Sequence, residues 1–93
     1  MSEAEIDWAG INEWAVELLS DYIRVDTVNP PGNETRACDW IGAILDTEGI
    51  PYKLYDPGEN RATLVARLSG DGSRGKPLLL LNHTDVVPFE REQ

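Results

Sequence analysis

The stretch Leu78-Leu79-Leu80-Leu81-Asn82-His83-Thr84-Asp85-Val86-Val87-Pro88 decides how this chain is read. Four consecutive leucines cannot alternate between core and solvent, so as a strand the run must be covered on both faces, as in the centre of an α/β sheet. Leucine alone also allows a short buried helix. The preceding glycine-rich loop at residues 69–75, the Lys76-Pro77 pair and the shortness of the run favour the strand. Just past its carboxyl end stand His83 and Asp85. Ligand sites of α/β sheets form there, because side chains are fixed by the sheet yet face a crevice. Two residues apart, the pair points to one side if the extended geometry persists. Imidazole is a common zinc ligand, and a neighbouring carboxylate is the usual partner that fixes its tautomer. Taken alone, the pair has a stronger structural reading, with Asp85 capping a turn and His83 bonded to a backbone carbonyl, because one imidazole does not hold a metal.

Working outward toward the N-terminus, residues 63–68 and 52–55 read as two short strands that pair antiparallel across the turn-rich Asp56-Pro57-Gly58-Glu59-Asn60. Before them lies a helix over residues 34–48. Asn33 is its N-cap, Glu34 sits in its first turn, and Ala37, Ile41, Ile44 and Leu45 form its buried stripe. Its end is signalled by Gly49 at a left-handed C′ position, Ile50 at C″ and Pro51 beyond. An earlier helix spans residues 7–25, with Ile11, Trp14, Ala15, Leu18, Leu19, Tyr22 and Ile23 on one stripe. It stops before Asn29-Pro30-Pro31-Gly32, where two prolines remove backbone donors. The expected class is therefore α/β: two helices, then about three strands of a mixed sheet. A doubly buried leucine strand wants helices on both faces and strands on both edges. This inventory does not provide them, so the chain reads as the N-terminal portion, residues 1–93, of a larger domain.

Length and charge narrow the function classes. At 93 residues and 10.4 kDa there is room for one small core. Eleven acids against two bases fall in residues 1–50, while residues 51–93 hold six of each, which places the whole net charge of −9 in the first half. Such a face repels phosphate backbones and anionic bilayers, so neither nucleic acid nor membrane is an expected partner. No apolar run approaches the ~20 residues of a membrane helix. The first twenty residues lack the Lys or Arg that a secretory or transit signal would require. The lone cysteine, Cys38, excludes an internal disulfide and a CxxC zinc site, and the expected compartment is the cytoplasm.

The chain resembles the N-terminal part of the dinuclear zinc amidohydrolases and exopeptidases, the family of aminoacylase, acetylornithine deacetylase, succinyl-diaminopimelate desuccinylase, glutamate carboxypeptidase and several dipeptidases. The resemblance runs over residues 13–88. It rests on Ile23-Arg24-Val25-Asp26-Thr27-Val28-Asn29-Pro30-Pro31-Gly32, on Glu48-Gly49-Ile50, on Thr63-Leu64-Val65-Ala66-Arg67-Leu68 and above all on Leu80-Leu81-Asn82-His83-Thr84-Asp85-Val86-Val87-Pro88. It implies a three-layer α/β/α zinc-exopeptidase-like catalytic domain, with His83 as a metal ligand and Asp85 as the residue that orients a metal-binding imidazole. Relatives often carry glycine where Asn82 stands. For the complete protein the resemblance implies hydrolysis of the amide bond of N-acyl amino acids or small peptides by a zinc-bound water, with cobalt or manganese as other candidate metals. A homodimer would form through a domain outside these residues. The bridging aspartate, the Glu-Glu pair and the later ligands of such a site have no counterpart here, so the 93 residues alone are expected to be inactive.

Other residues have plainer readings. Cys38 beside Asp39 is a buried structural thiol. Trp8, Trp14 and Trp40 serve helix packing rather than an aromatic binding surface. Gly70, Gly72 and Gly75 lack the strand-to-helix context of a phosphate loop, and Glu90 and Glu92 are tail acids. The competing hypothesis is a small acidic α/β interaction module without chemistry, whose poorly covered leucine strand would drive self-association.

Overall fold

A computed structural model describes residues 5–89. The element order is α1 (Trp8–Ile23), α2 (Glu34–Glu48), β1 (Tyr52–Gly58) and β2 (Arg61–Ala66). Helix and strand together make a mixed α/β arrangement.

Helix α1 begins where Asp7 accepts a hydrogen bond from the Gly10 amide at 3.0 Å, which satisfies one of the amides that a helix start leaves unpaired. Its apolar stripe has the expected phase but not the expected burial. Leu18 and Tyr22 are half-buried, whereas Ile11, Trp14, Leu19 and Ile23 are exposed. The tie to α2 is the ring of Tyr22, stacked on Trp40 at 5.5 Å.

Helix α2 is held at both ends. Asn33 occupies the N-cap position, but in left-handed geometry (φ 51°) and without a side-chain cap; the Thr35 amide instead donates to the Asn60 carbonyl at 3.1 Å. The C-terminus closes as expected. Gly49 is left-handed (φ 69°), the Ile50 amide donates to the Leu45 carbonyl at 2.9 Å and the Gly49 amide to the Asp46 carbonyl at 3.2 Å. Ala37 and Cys38 are buried on the face toward the sheet, with Ile41, Ile44 and Leu45 half-buried beside them. Gly42 lets β1 approach closely, since a Cβ there would stand 2.8 Å from the hydroxyl of Tyr52.

Strands β1 and β2 form an antiparallel hairpin in the register Tyr52–Ala66, Lys53–Val65, Leu54–Leu64, Tyr55–Thr63 and Gly58–Arg61. The first strand runs past the expected residue 55. The register shifts between Tyr55 and Gly58, where Asp56-Pro57 bulges, as a proline without a ladder donor requires. Glu59 and Asn60 both take positive φ, the geometry of a tight two-residue hairpin turn.

The leucine run departs from expectation. Leu78–81 is not a strand, pairs with neither edge of the hairpin and is 81–89% exposed. A third strand covered on both faces is therefore not found among the described residues. A strand needs a neighbour for its backbone groups as well as an apolar composition, and the hairpin pairs only within itself. The region's ladder-like contact falls later, as a parallel bridge between Val28 and Val86. No helix among the described residues is long and apolar enough to cross a membrane.

Candidate functional site

Between α1 and α2 the chain makes an extended connector, residues 24–33, whose course is set by local bonds. The Val28 amide donates to the Asp26 carboxylate at 3.1 Å, the Gly32 amide donates to the Val28 carbonyl at 2.8 Å, and Arg36 pairs with Asp26 at 3.6 Å. The segment carrying His83 and Asp85 lies alongside it. The Val86 amide donates to the Thr27 carbonyl at 3.1 Å and the Asn29 amide to the Val86 carbonyl at 2.7 Å. The buried Thr27 hydroxyl donates to the Thr84 carbonyl at 2.6 Å, and the Asn29 side-chain amide donates to Asp85 Oδ2 at 2.9 Å. These four bonds, more than the leucines before it, hold the His-x-Asp segment in place.

Within that segment His83 Nδ1 lies 2.8 Å from the Asp85 carbonyl and 3.1 Å from Asp85 Oδ1. Both oxygens can only accept when the carboxyl is ionised, so in the neutral ring the proton sits on Nδ1 and the lone pair on Nε2. Asp85 is kept ionised. The Asn29 amide holds its carboxyl below the ordinary aspartate value, desolvation opposes this, and His83 adds to the lowering. The imidazole is 83% exposed and free to meet a ligand, while the Asp85 side chain is 30% exposed. The structure brings together the two residues singled out in the sequence, through the His83–Asp85 contact rather than through a strand.

The pair lies at one wall of an open trough of about 740 Å³, lined also by Glu34, Cys38, Arg61 and Leu81. Glu34 is buried and ion-paired with Arg61 through the guanidinium Nε. Arg61 reaches on to the Pro31 carbonyl at 3.4 Å, which ties the connector to β2. Cys38 is 2% exposed, and burial, with Asp39 and Glu34 nearby, pushes its thiol up from the ordinary value. It is structural, in agreement with the sequence.

As a zinc ligand His83 fits in one respect and falls short in another. Its Nε2 is a free, correctly tautomeric donor whose opposite nitrogen is held by a carboxylate, the arrangement of metal-binding imidazoles. No group of three or more His, Cys, Asp or Glu that could hold a metal is gathered among the described residues. The described residues bring one donor to a centre that takes at least three protein ligands.

Sequence reasoning missed Thr27 and Asn29. Both sit in the segment read as a helix stop, and their partners are 57 and 56 residues away, beyond the reach of any periodicity. Glu90 and Glu92, read as tail acids, lie outside the described residues. Comparison of the chain with protein-family models, with curated proteins and with solved structures found no match.

Proposed function

We propose that this chain contributes the His-x-Asp arm of a metal-dependent hydrolase that cleaves the amide bond of N-acyl amino acids or small peptides. The supporting observation is His83 itself, its Nδ1 engaged by Asp85 and its Nε2 unengaged at the wall of an open trough. The resemblance of residues 13–88 to dinuclear zinc amidohydrolases gives that geometry its chemistry, and it carries with it a three-layer α/β/α domain and a homodimer, while the lone cysteine supports a cytoplasmic setting.

In this reading His83 presents its Nε2 lone pair as one ligand, and Asp85 holds the ring in the tautomer that leaves that lone pair free. Zinc, when bound, would supply Lewis acidity toward an amide carbonyl and toward water. Cobalt or manganese could take the same place. Further ligands and a general base come from residues other than those described, and residues 1–93 by themselves are inactive.

The test is hydrolysis of N-acetyl amino acids and dipeptides by the complete gene product. The expected result is turnover that a chelator abolishes and added zinc or cobalt restores, that His83→Ala eliminates, and that Asp85→Ala lowers by about 10–100-fold. Turnover indifferent to chelator, or wild-type turnover in His83→Ala, overturns the proposal.

The exposed apolar surface supports a second reading, an interaction module without catalysis. A complete gene product that turns over none of these substrates with any of the three metals, yet assembles with itself, would decide for it.

A further inference from the structure

We propose that Asn29 is a positioning residue for the His83 ligand: its side-chain amide occupies Asp85 Oδ2 and thereby aims Oδ1 at His83 Nδ1. This rests on the hydrolase reading for its purpose but not for its geometry. A carboxylate beside an exposed imidazole can rotate about its own side chain or turn to water, and Asp85 is only partly buried. Two contacts restrain it from opposite sides. Asn29 Nδ2 lies 2.9 Å from Oδ2, and His83 Nδ1 lies 3.1 Å from Oδ1.

The restraint is rigidly mounted. The backbone of Asn29 is bonded to the very segment its side chain serves, through its amide to the Val86 carbonyl at 2.7 Å, and Val28 bridges to Val86 in parallel. Asn29 therefore cannot drift from Asp85 without breaking the backbone pairing. An amide is also the chemistry the place requires. It donates to the carboxylate without adding a charge that would compete with the imidazole for it, as lysine or arginine would.

The experiment uses the fact that His83 is the chain's only histidine. Histidine-selective 15N labelling of the full chain, without metal, gives one imidazole, and its long-range proton–nitrogen correlations report which nitrogen carries the proton at a pH where the ring is neutral. The wild-type chain is expected to show the Nδ1-protonated form. The Asp85 carbonyl, 2.8 Å from Nδ1, stays in place in every variant, so Asn29→Ala and the isosteric Asn29→Asp are each expected to lower the Nδ1-protonated share and raise the Nε2-protonated one rather than abolish the signature, while the hairpin amide spectrum is unchanged. Thr27→Val, which removes a bond from the same connector but leaves the Asn29 amide in place, is expected to keep the wild-type shares.

An Nε2-protonated wild type overturns the proposal. So do wild-type shares in both Asn29 variants, or loss of the folded spectrum in both, which would assign Asn29 to the fold alone. A Thr27→Val chain shifted as far as the Asn29 variants overturns it as well. All of these outcomes are read without metal or substrate, so they stand apart from failure of the hydrolase reading, which shows only in turnover.

Discussion

At residue scale the chain separates its titratable side chains into an engaged set and a silenced one. His83 keeps one nitrogen open while Asp85 and Asn29 occupy the other side of the arrangement. Cys38, on the same trough, is withdrawn. Its raised pKa comes first from burial and then from Asp39 and Glu34, and a neutral thiol is a poor nucleophile. The sign of the pH dependence follows. The fold's preference for the neutral thiol is complete below the ordinary thiol pKa and is lost as pH rises through the raised value. Iodoacetamide should therefore modify Cys38 more slowly in the native chain at pH 8 than in urea, with the native rate climbing only above the ordinary thiol range; mass spectrometry of timed samples checks this. Equal rates would mean that the α2 face is open. The His83–Asp85 contact was legible at this scale because it lies within three residues. Asn29 was not, since nothing local distinguishes an asparagine that ends a helix from one that reaches a carboxylate across the fold.

At element scale the local signals of α2 proved sufficient where they were purely local. The Gly49-Ile50 ending was legible because its geometry depends on a few consecutive residues, and both of its characteristic hydrogen bonds are present. The N-terminus was misjudged in detail, because the Asn60 carbonyl at the hairpin turn takes the Thr35 amide and leaves the Asn33 side chain without that task. Gly49 offers a clean measurement. Its φ is 69° and a Cβ there would meet nothing within 4 Å, so Gly49→Ala reads backbone strain alone. The expected loss is about 1–2 kcal/mol, seen as a lowered urea midpoint with an unchanged slope. An unaltered midpoint would show that the helix end is frayed. The leucine run was misread for the opposite reason. Its four apolar residues specify a wish for burial, but whether a strand forms depends on pairing with an edge elsewhere, and the run docks on neither outer edge of the hairpin.

At the scale of the whole molecule, apolar surface remains open. The accessible area is 8449 Å² and the radius of gyration 16.4 Å. A compact chain of this mass has about 5,400 Å² and about 12 Å. Leu78–81, Val87 and Phe89, together with the stripe of α1, account for much of the apolar part. The 93-residue chain should accordingly bind a hydrophobic dye such as anilinonaphthalene sulfonate and sediment with a concentration-dependent mass. A dye-silent monomer across the micromolar range would show that these side chains find cover within the chain itself. Amphipathic phase was legible for both helices, and burial followed it on α2 but not on α1, because phase belongs to one element and burial to two.

The seam between the connector and the His-x-Asp segment also sets an order of events. Thr27 and Thr84 are 57 residues apart, and closing a loop of that length costs about 3–4 kcal/mol of chain entropy beyond a constant, whereas the β1–β2 turn closes over two residues. Contacts of high sequence separation form after local ones. During synthesis Asn29 therefore emerges early, just after α1, and waits while α2 and the hairpin pass. The His83–Asp85 contact can form locally, but it is fixed against Thr27 and Asn29 only when residue 86 arrives to be stitched beside residue 28, so the anchored arrangement is the last part of the fold to be assembled.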